Sequence, residues 1–207
     1  SRSTGLYHVA IRLPSRAALS RLFARLVSFR YPFGGFSDHA VSEALYLNDP
    51  DGNGLELYRD RPRDQWKYEG TQVQMTTVAL DVEKLLREAD DAPWTGIDPA
   101  TDIGHVHLHV ANLKQAEAFY VGLLGMDMAS DWSGHGAIFV SAGGYHHHIG
   151  LNIWAGQQPQ PSHTLGLQTF TLTVPDASAL AELRERFTQA AVTVEEQADH
   201  SLVVHDP

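Results

Sequence analysis

Apolar and polar residues alternate in three segments of the chain: "GLYHVAIRLPS" at 5–15, "IGHVHLHVANL" at 103–113 and "GLQTFTLTVPD" at 166–176. A period of two that ends in turn residues predicts a strand buried on one face. Each segment leads into a stretch with apolar positions near i, i+3, i+4 and i+7, namely "RAALSRLFARLV" (16–27), "KQAEAFYVGLLG" (114–125) and "ASALAELRERFTQA" (177–190). That spacing predicts an amphipathic helix. Ser15, Asn112 and Asp176 stand where a side chain would cap the first free N–H groups.

Further strands follow each helix. In the first unit these are "AVSEALYLN" and "GLELYRD", joined by the turn Asp-Pro-Asp-Gly-Asn-Gly; in the second they are "GAIFVSAG" and "HHHIGLNIW". The third unit stops at "SLVVHDP". The repeating pattern is strand, helix and about three strands, a βαβββ module. It divides the chain into a module at 1–64, a connector at 65–102, a second module at 103–156 and a third, cut short, at 157–207. The connector is rich in Pro and Asp and predicts one strand and one short helix, while 155–164 reads as a polar linker. The fold class expected is α+β, in which paired modules curl their sheets around a cleft.

Composition narrows the partners. The formal net charge is −10, and no Lys/Arg cluster offers a basic face, which excludes nucleic acid and anionic membrane. No apolar run approaches the roughly 20 residues of a membrane helix. The opening Ser-Arg-Ser-Thr-Gly lacks the basic head and apolar stretch of a signal peptide, so a cytoplasmic location is expected. Cysteine is absent, which removes disulfides and thiolate metal sites. The 12 histidines are the anomaly, clustered in "GHVHLHV" and "GGYHHHIGLN".

The module pattern resembles the vicinal-oxygen-chelate superfamily, whose βαβββ modules pair to build a metal site at the mouth of a half-barrel. Against that resemblance, the chain reads as modules two to four of a four-module protein. Superfamily ligands come from the start of the first strand and the middle of the last strand of a module. Aligning the repeats places His8, His105 and Thr169 at equivalent first-strand positions, and matching "LELY" with "LNIW" pairs Glu56 with Asn152. His8, His105 and Glu56 then form a two-histidine, one-carboxylate set of the kind that holds non-haem Fe(II) with positions open. Plainer readings stand beside these: a hydrogen-bonded strand histidine at His8, a solvent-facing glutamate at Glu56, and a His105 not distinguished from His107 and His109.

The hairpin at 38–58 carries a more specific resemblance. His39, five residues, Leu45-Tyr46, two residues, Asp49-Pro50, one residue, Gly52, three residues and Glu56 match the signature of extradiol ring-cleaving dioxygenases, with Ser37 its single departure. Together with "IGHVHLHV" and "GGYHHHIGLNIWAG", the stretch resembles the bacterial catechol-2,3-dioxygenase group of the CatE type. The resemblance implies a catechol and O₂ as substrates and Fe(II) as cofactor, with Mn(II) as the alternative. It makes Glu56 a metal ligand and has His39 and Tyr46 hydrogen-bond the substrate oxygens.

An acid/base histidine is implied within "YHHHIGLN". Regular alternation puts His146, His148, Gly150 and Asn152 on one face, which favours His148, then His146, and turns His147 away unless a bulge intervenes. His39 and Tyr46 are seven apart, so His39 must lie outside the strand or beside a bulge. Phe33, Phe36, Tyr145 and Trp154 are candidates for an aromatic wall. Two rival functions share the fold, a metal-dependent isomerase or thiol transferase and a metal-free ligand-binding module. A homo-oligomer is compatible with all of them.

Overall fold

A computed structural model describes residues 3–90 and 93–207. In the first unit, β1 (Gly5–Arg12) is followed by α1 (Arg16–Ser28), β2 (Gly35–Asp38), β3 (Ser42–Asn48) and β4 (Gly54–Asp60). The Ser15 hydroxyl accepts a hydrogen bond from the Ala18 N–H at 3.1 Å and starts α1. The helix lays Leu19, Leu22 and Phe23 against Leu45, Leu47 and Leu57 of the sheet. Each aliphatic side chain so removed from water stabilises the fold by about 1.5–3 kcal/mol. Between β3 and β4, the Asp49 carboxylate accepts from the N–H groups of Asp51 and Asn53 at 2.9 and 2.8 Å. Gly52 takes the left-handed conformation the turn needs, at φ +89°.

The second unit repeats the order with β8 (Asp102–His109), α3 (Leu113–Glu117, widening into a π-helical turn over Ala118–Leu123), β9 (Asp127–Trp132), β10 (Ala137–Ser141) and β11 (Ile149–Asn152). Between the units, β5 (Tyr68–Glu69) and β6 (Gln72–Val73) make a small hairpin, β7 (Val78–Ala79) adds to the edge of β2, and α2 (Val82–Arg87) follows. The connector thus supplies three short strands where the sequence predicts one, and one of them, β7, joins the main sheet.

One nine-stranded sheet results, ordered β7-β2-β3-β4-β1-β8-β11-β10-β9. Its mixed, curled form is the α+β half-barrel architecture expected. β1 and β8 pair antiparallel at the centre. Ala10 stands opposite His105 and His8 opposite His107, so one ladder step recurs with the units exchanged. His8 and His105 are therefore equivalent positions about an approximate twofold axis.

The third unit differs from expectation. Its helix, α4 (Ala177–Gln189), is capped by Asp176 accepting from the Ala179 N–H at 2.9 Å, and packs Leu183 and Phe187 into the core of the second unit. β12 (Glu195–Glu196) and β13 (Leu202–Val203) form a separate two-stranded ladder. Residues 166–176, predicted as a strand, join no ladder among the described residues. Alternation alone does not make a strand, because its backbone groups need a neighbouring edge, and β1 and β8 have satisfied each other. No helix among the described residues is long and apolar enough to cross a membrane.

Candidate metal centre and substrate cavity

Strand register brings the chemistry together. Across β3, β4, β1 and β8, Tyr46 stands opposite Glu56, Glu56 opposite Ala10, and Ala10 opposite His105. Ala10 is fully buried and ends at a methyl group. Glu56 and His105 are each one strand away from it and close over it from both sides. His8, two residues before Ala10 on β1, shares its face. Glu56 Oε2 lies 3.0 Å from His8 Nε2 and 3.2 Å from His105 Nε2. One ligand atom from each of the three residues falls within 4.8 Å of the others.

These three residues suit a divalent metal. All are buried, and His8 Nε2 has no hydrogen-bond partner despite its approach to Glu56, because the alignment is wrong for one. His105 Nε2 does hydrogen-bond Glu56 Oε2, but a buried carboxylate with two imidazole nitrogens gathered at one point, one of them unpartnered, is a donor set that suits a cation. Burial pushes the Glu56 carboxyl up, but His105 and His8 outweigh it and hold the group well below the usual carboxylate range. Burial lowers His105 to about 4, against the pull of Glu56, so the imidazole stays neutral, as ligation demands.

The neighbouring histidines are separated from the site by their bonds. The Trp154 N–H donates to Asn152 Oδ1 at 3.0 Å, which turns the Asn152 amide nitrogen toward His107 Nε2, also at 3.0 Å. His109 Nδ1 donates to the same Asn152 oxygen at 2.6 Å. His107 and His109 are thus committed, and His105 alone of the three reaches Glu56. Asn152 is not the counterpart of Glu56. Gly150 pairs with His107 as Glu56 pairs with Ala10, so Gly150 occupies the corresponding place and Asn152 corresponds to Tyr58.

Beside the three ligand candidates lies a cavity of about 440 Å³, within the usual range for a small-molecule site. His39 sits in the connection between β2 and β3, outside either strand, where Ala40 adopts φ 66°. That resolves its spacing from Tyr46. His39 Nδ1 is 2.7 Å from the Thr76 carbonyl, which accepts only, so Nδ1 carries the proton. In the neutral ring Nε2 is then the acceptor, and the Tyr46 hydroxyl donates to it at 2.8 Å. Burial, then Glu56, raises the Tyr46 hydroxyl well above its ordinary pKa.

The aromatic wall differs from the residues expected. Trp154 lines the cavity, together with Tyr7, Trp132 and Phe139. Phe33 and Phe36 instead pack on Phe23 in the first core, and Tyr145 is buried against Trp66. Tyr7 reaches the cavity because it is the extra residue of a bulge between Leu6 and His8. In a regular strand it would point opposite to His8. The connector supplies Met75, Thr76 and Thr77. Nothing in their sequence pattern marks these three, whereas Tyr7 adjoins a candidate ligand.

The triple histidine is also arranged differently. β11 begins only at Ile149, so strand alternation does not extend back through 146–148. His147 lines the cavity, its ring 4.1 Å from that of His105. His146 is buried and turned to Asp60, with Nε2 2.9 Å from Oδ1. His148 lies away from the cavity and accepts from the Ala142 N–H at 3.2 Å. His8, His39, Tyr46 and Glu56 line the cavity, His105 is buried against Glu56, and His147 rather than His148 or His146 joins the lining.

Residues 102–203 match the family model described as Glyoxalase/Bleomycin resistance protein/Dioxygenase superfamily. The chain is 50% identical to the catechol-2,3-dioxygenase of Bacillus subtilis (strain 168) over 208 aligned residues, covering 99% of this chain and 72% of that protein. Among solved structures it is similar to a putative dioxygenase from Bacillus subtilis subsp. subtilis str. 168, with a TM-score of 0.58 at 15% identity. That match covers 95% of this chain and spans 56% of the solved one, and supports the fold alone.

Proposed function

Since the chain belongs to the glyoxalase, bleomycin resistance protein and dioxygenase superfamily, we propose that it is an extradiol dioxygenase, which opens a catechol ring beside its two hydroxyls. The observation that carries this reading is the convergence of His8, Glu56 and His105 at a cavity that also holds the His39–Tyr46 pair. The relative named above is a catechol-2,3-dioxygenase, which supports the same substrate class. An isomerase or thiol transferase of this fold has no use for that pair, and a metal-free binding module has none for the converging ligands.

His8, His105 and Glu56 would hold Fe(II), with Mn(II) as the alternative for the same N/O donors. A metal held there would supply the Lewis acidity and one-electron chemistry through which a catechol reacts with O₂. In the balanced reaction both atoms of O₂ enter the product, one at each end of the broken carbon–carbon bond. The remaining steps fall to this chain's side chains. Tyr7, Trp132, Phe139 and Trp154 give the ring apolar faces and exclude water from it. Without substrate, Tyr46 gives its one hydrogen to His39 Nε2. With a substrate bound it would turn that hydrogen to a substrate oxygen and stabilise charge there, leaving His39 Nε2 free to accept from the substrate. His147, beside His105, exchanges a proton with the reacting oxygens as general acid/base.

The test is anaerobic loading with Fe(II), followed by catechol and oxygen. A yellow ring-fission product should form with one O₂ consumed per ring, and Glu56→Gln should abolish it. Iron-loaded protein that consumes no oxygen with any catechol would rule the reading out.

A further inference from the structure

Asp60, His146 and His147 form a hydrogen-bonded series leading from behind the site to the cavity. Asp60 Oδ1 lies 2.9 Å from His146 Nε2, and His146 Nδ1 lies 2.8 Å from His147 Nδ1. A carboxylate only accepts, so His146 carries its proton on Nε2. In the neutral ring its Nδ1 is then the acceptor, and His147 donates from Nδ1. The one nitrogen of His147 left with a lone pair is Nε2, on a ring that lines the cavity.

The series is held in place. The His146 ring is 4.1 Å from that of Tyr145 and 5.3 Å from that of Trp66, and the residue is 1% exposed. Asp60 Oδ2 also accepts from the Tyr145 hydroxyl at 3.0 Å and from Arg12 Nη1 at 3.3 Å. Arg12 is fixed in turn by Asp102 at 2.7 Å.

We propose that Asp60, acting through His146, fixes His147 as the Nδ1–H tautomer and so presents a bare Nε2 to the cavity. Asp60 and His146 are positioning residues and His147 is the group they orient. The catalytic meaning of that tautomer rests on the dioxygenase reading; the tautomer itself does not. Nε2 could take a proton from a catechol hydroxyl as the substrate binds and return it to the reacting oxygen later. The wrong tautomer would present an N–H and could only donate.

Asp60→Asn gives a sharp test, because Arg12 determines how the amide must sit. Arg12 only donates, so the amide oxygen stays on its side and the amide nitrogen turns to His146. His146 Nε2 must then accept, its Nδ1 carries the proton, and His147 is forced into the Nε2–H form. Nitrogen-15 NMR of the histidine rings reads this directly, with diamagnetic Zn(II) added and again without metal. His147 is assigned through its loss in His147→Gln.

The wild type should show His147 protonated on Nδ1 and Asp60→Asn should show it protonated on Nε2. On catechol the variant's kcat should fall at least about tenfold with KM changed less than about twofold, a part of what general acid–base catalysis contributes. Wild-type His147 protonated on Nε2, or a tautomer unchanged in Asp60→Asn, would overturn the proposal. Should Asp60→Asn fail to fold, the wild-type tautomer decides alone. Expected tautomers in a protein that cleaves no catechol would uphold the relay and sink the dioxygenase reading instead.

Discussion

Tyr46 donates to His39 Nε2 at 2.8 Å because the other nitrogen of that ring is already engaged with the Thr76 carbonyl. The pair joins β3, the β2–β3 connection and the segment that precedes β7, so three parts of the chain agree on where one proton sits. Tyr46→Phe removes the donor and leaves the aromatic ring. The expected result is a kcat lower by about 10²-fold on catechol with the metal content intact, the usual scale for losing a donor to developing charge. Oxygen uptake under saturating catechol measures it, and an unchanged kcat would mean that Tyr46 does no more than pack.

Ala10 matters for what it lacks. It is fully buried and stands between Glu56 and His105 in the strand order, under the space where their side chains meet. Ala10→Val puts two further carbons into that space. The expected outcome is metal content well below one per chain after loading, with a stability loss of about 1–3 kcal/mol from overpacking. Elemental analysis alongside a thermal melt distinguishes the two effects. Full metal occupancy in a folded variant would show that Ala10 does not set the space.

Much of this was legible before any coordinates. The period-two segments and the capping residues Ser15, Asn112 and Asp176 locate helices and strands because they report local physics. The His39–Tyr46–Glu56 spacing is legible because a hairpin turns spacing in sequence into register across two strands. What fails is what depends on neighbours. Residues 166–176 alternate like a strand, yet pairing needs an edge and they find none among the described residues. His146 and His148 were placed by extending β11 backward, but the ladder starts at Ile149. Asn152 matched Glu56 by the likeness of two tetrapeptides, whereas the ladder puts Gly150 there.

That position explains itself sterically. A Cβ on Gly150 would lie 2.8 Å from His107 Cγ and 2.9 Å from Cδ2. The ring cannot move aside freely, because Asn152 holds its Nε2 at 3.0 Å. Gly150→Ala should therefore cost about 1–3 kcal/mol, as other overpacked sites do. A melting temperature lower by several degrees in the metal-free protein would register it. A melting temperature equal to wild type would show that the sheet yields at this point.

Asp60 links stability to pH in a direction that can be worked out. Burial pushes its carboxyl up, but His146, the Tyr145 hydroxyl and Arg12 prevail and hold it below the ordinary value of 3.8. A carboxyl with a lower pKa in the folded chain binds fewer protons there than in the unfolded chain. Its contribution is then fully present above the unfolded value and is lost as pH falls through the folded one. Asp60→Asn has no such carboxyl at any pH. Urea denaturation should find the variant less stable than wild type by about 1–3 kcal/mol near neutral pH, where a buried network has lost a charged acceptor. The difference should hold down to about pH 4 and shrink below it. A difference that stays constant into the acid range would mean that the carboxylate of Asp60 contributes nothing through its charge.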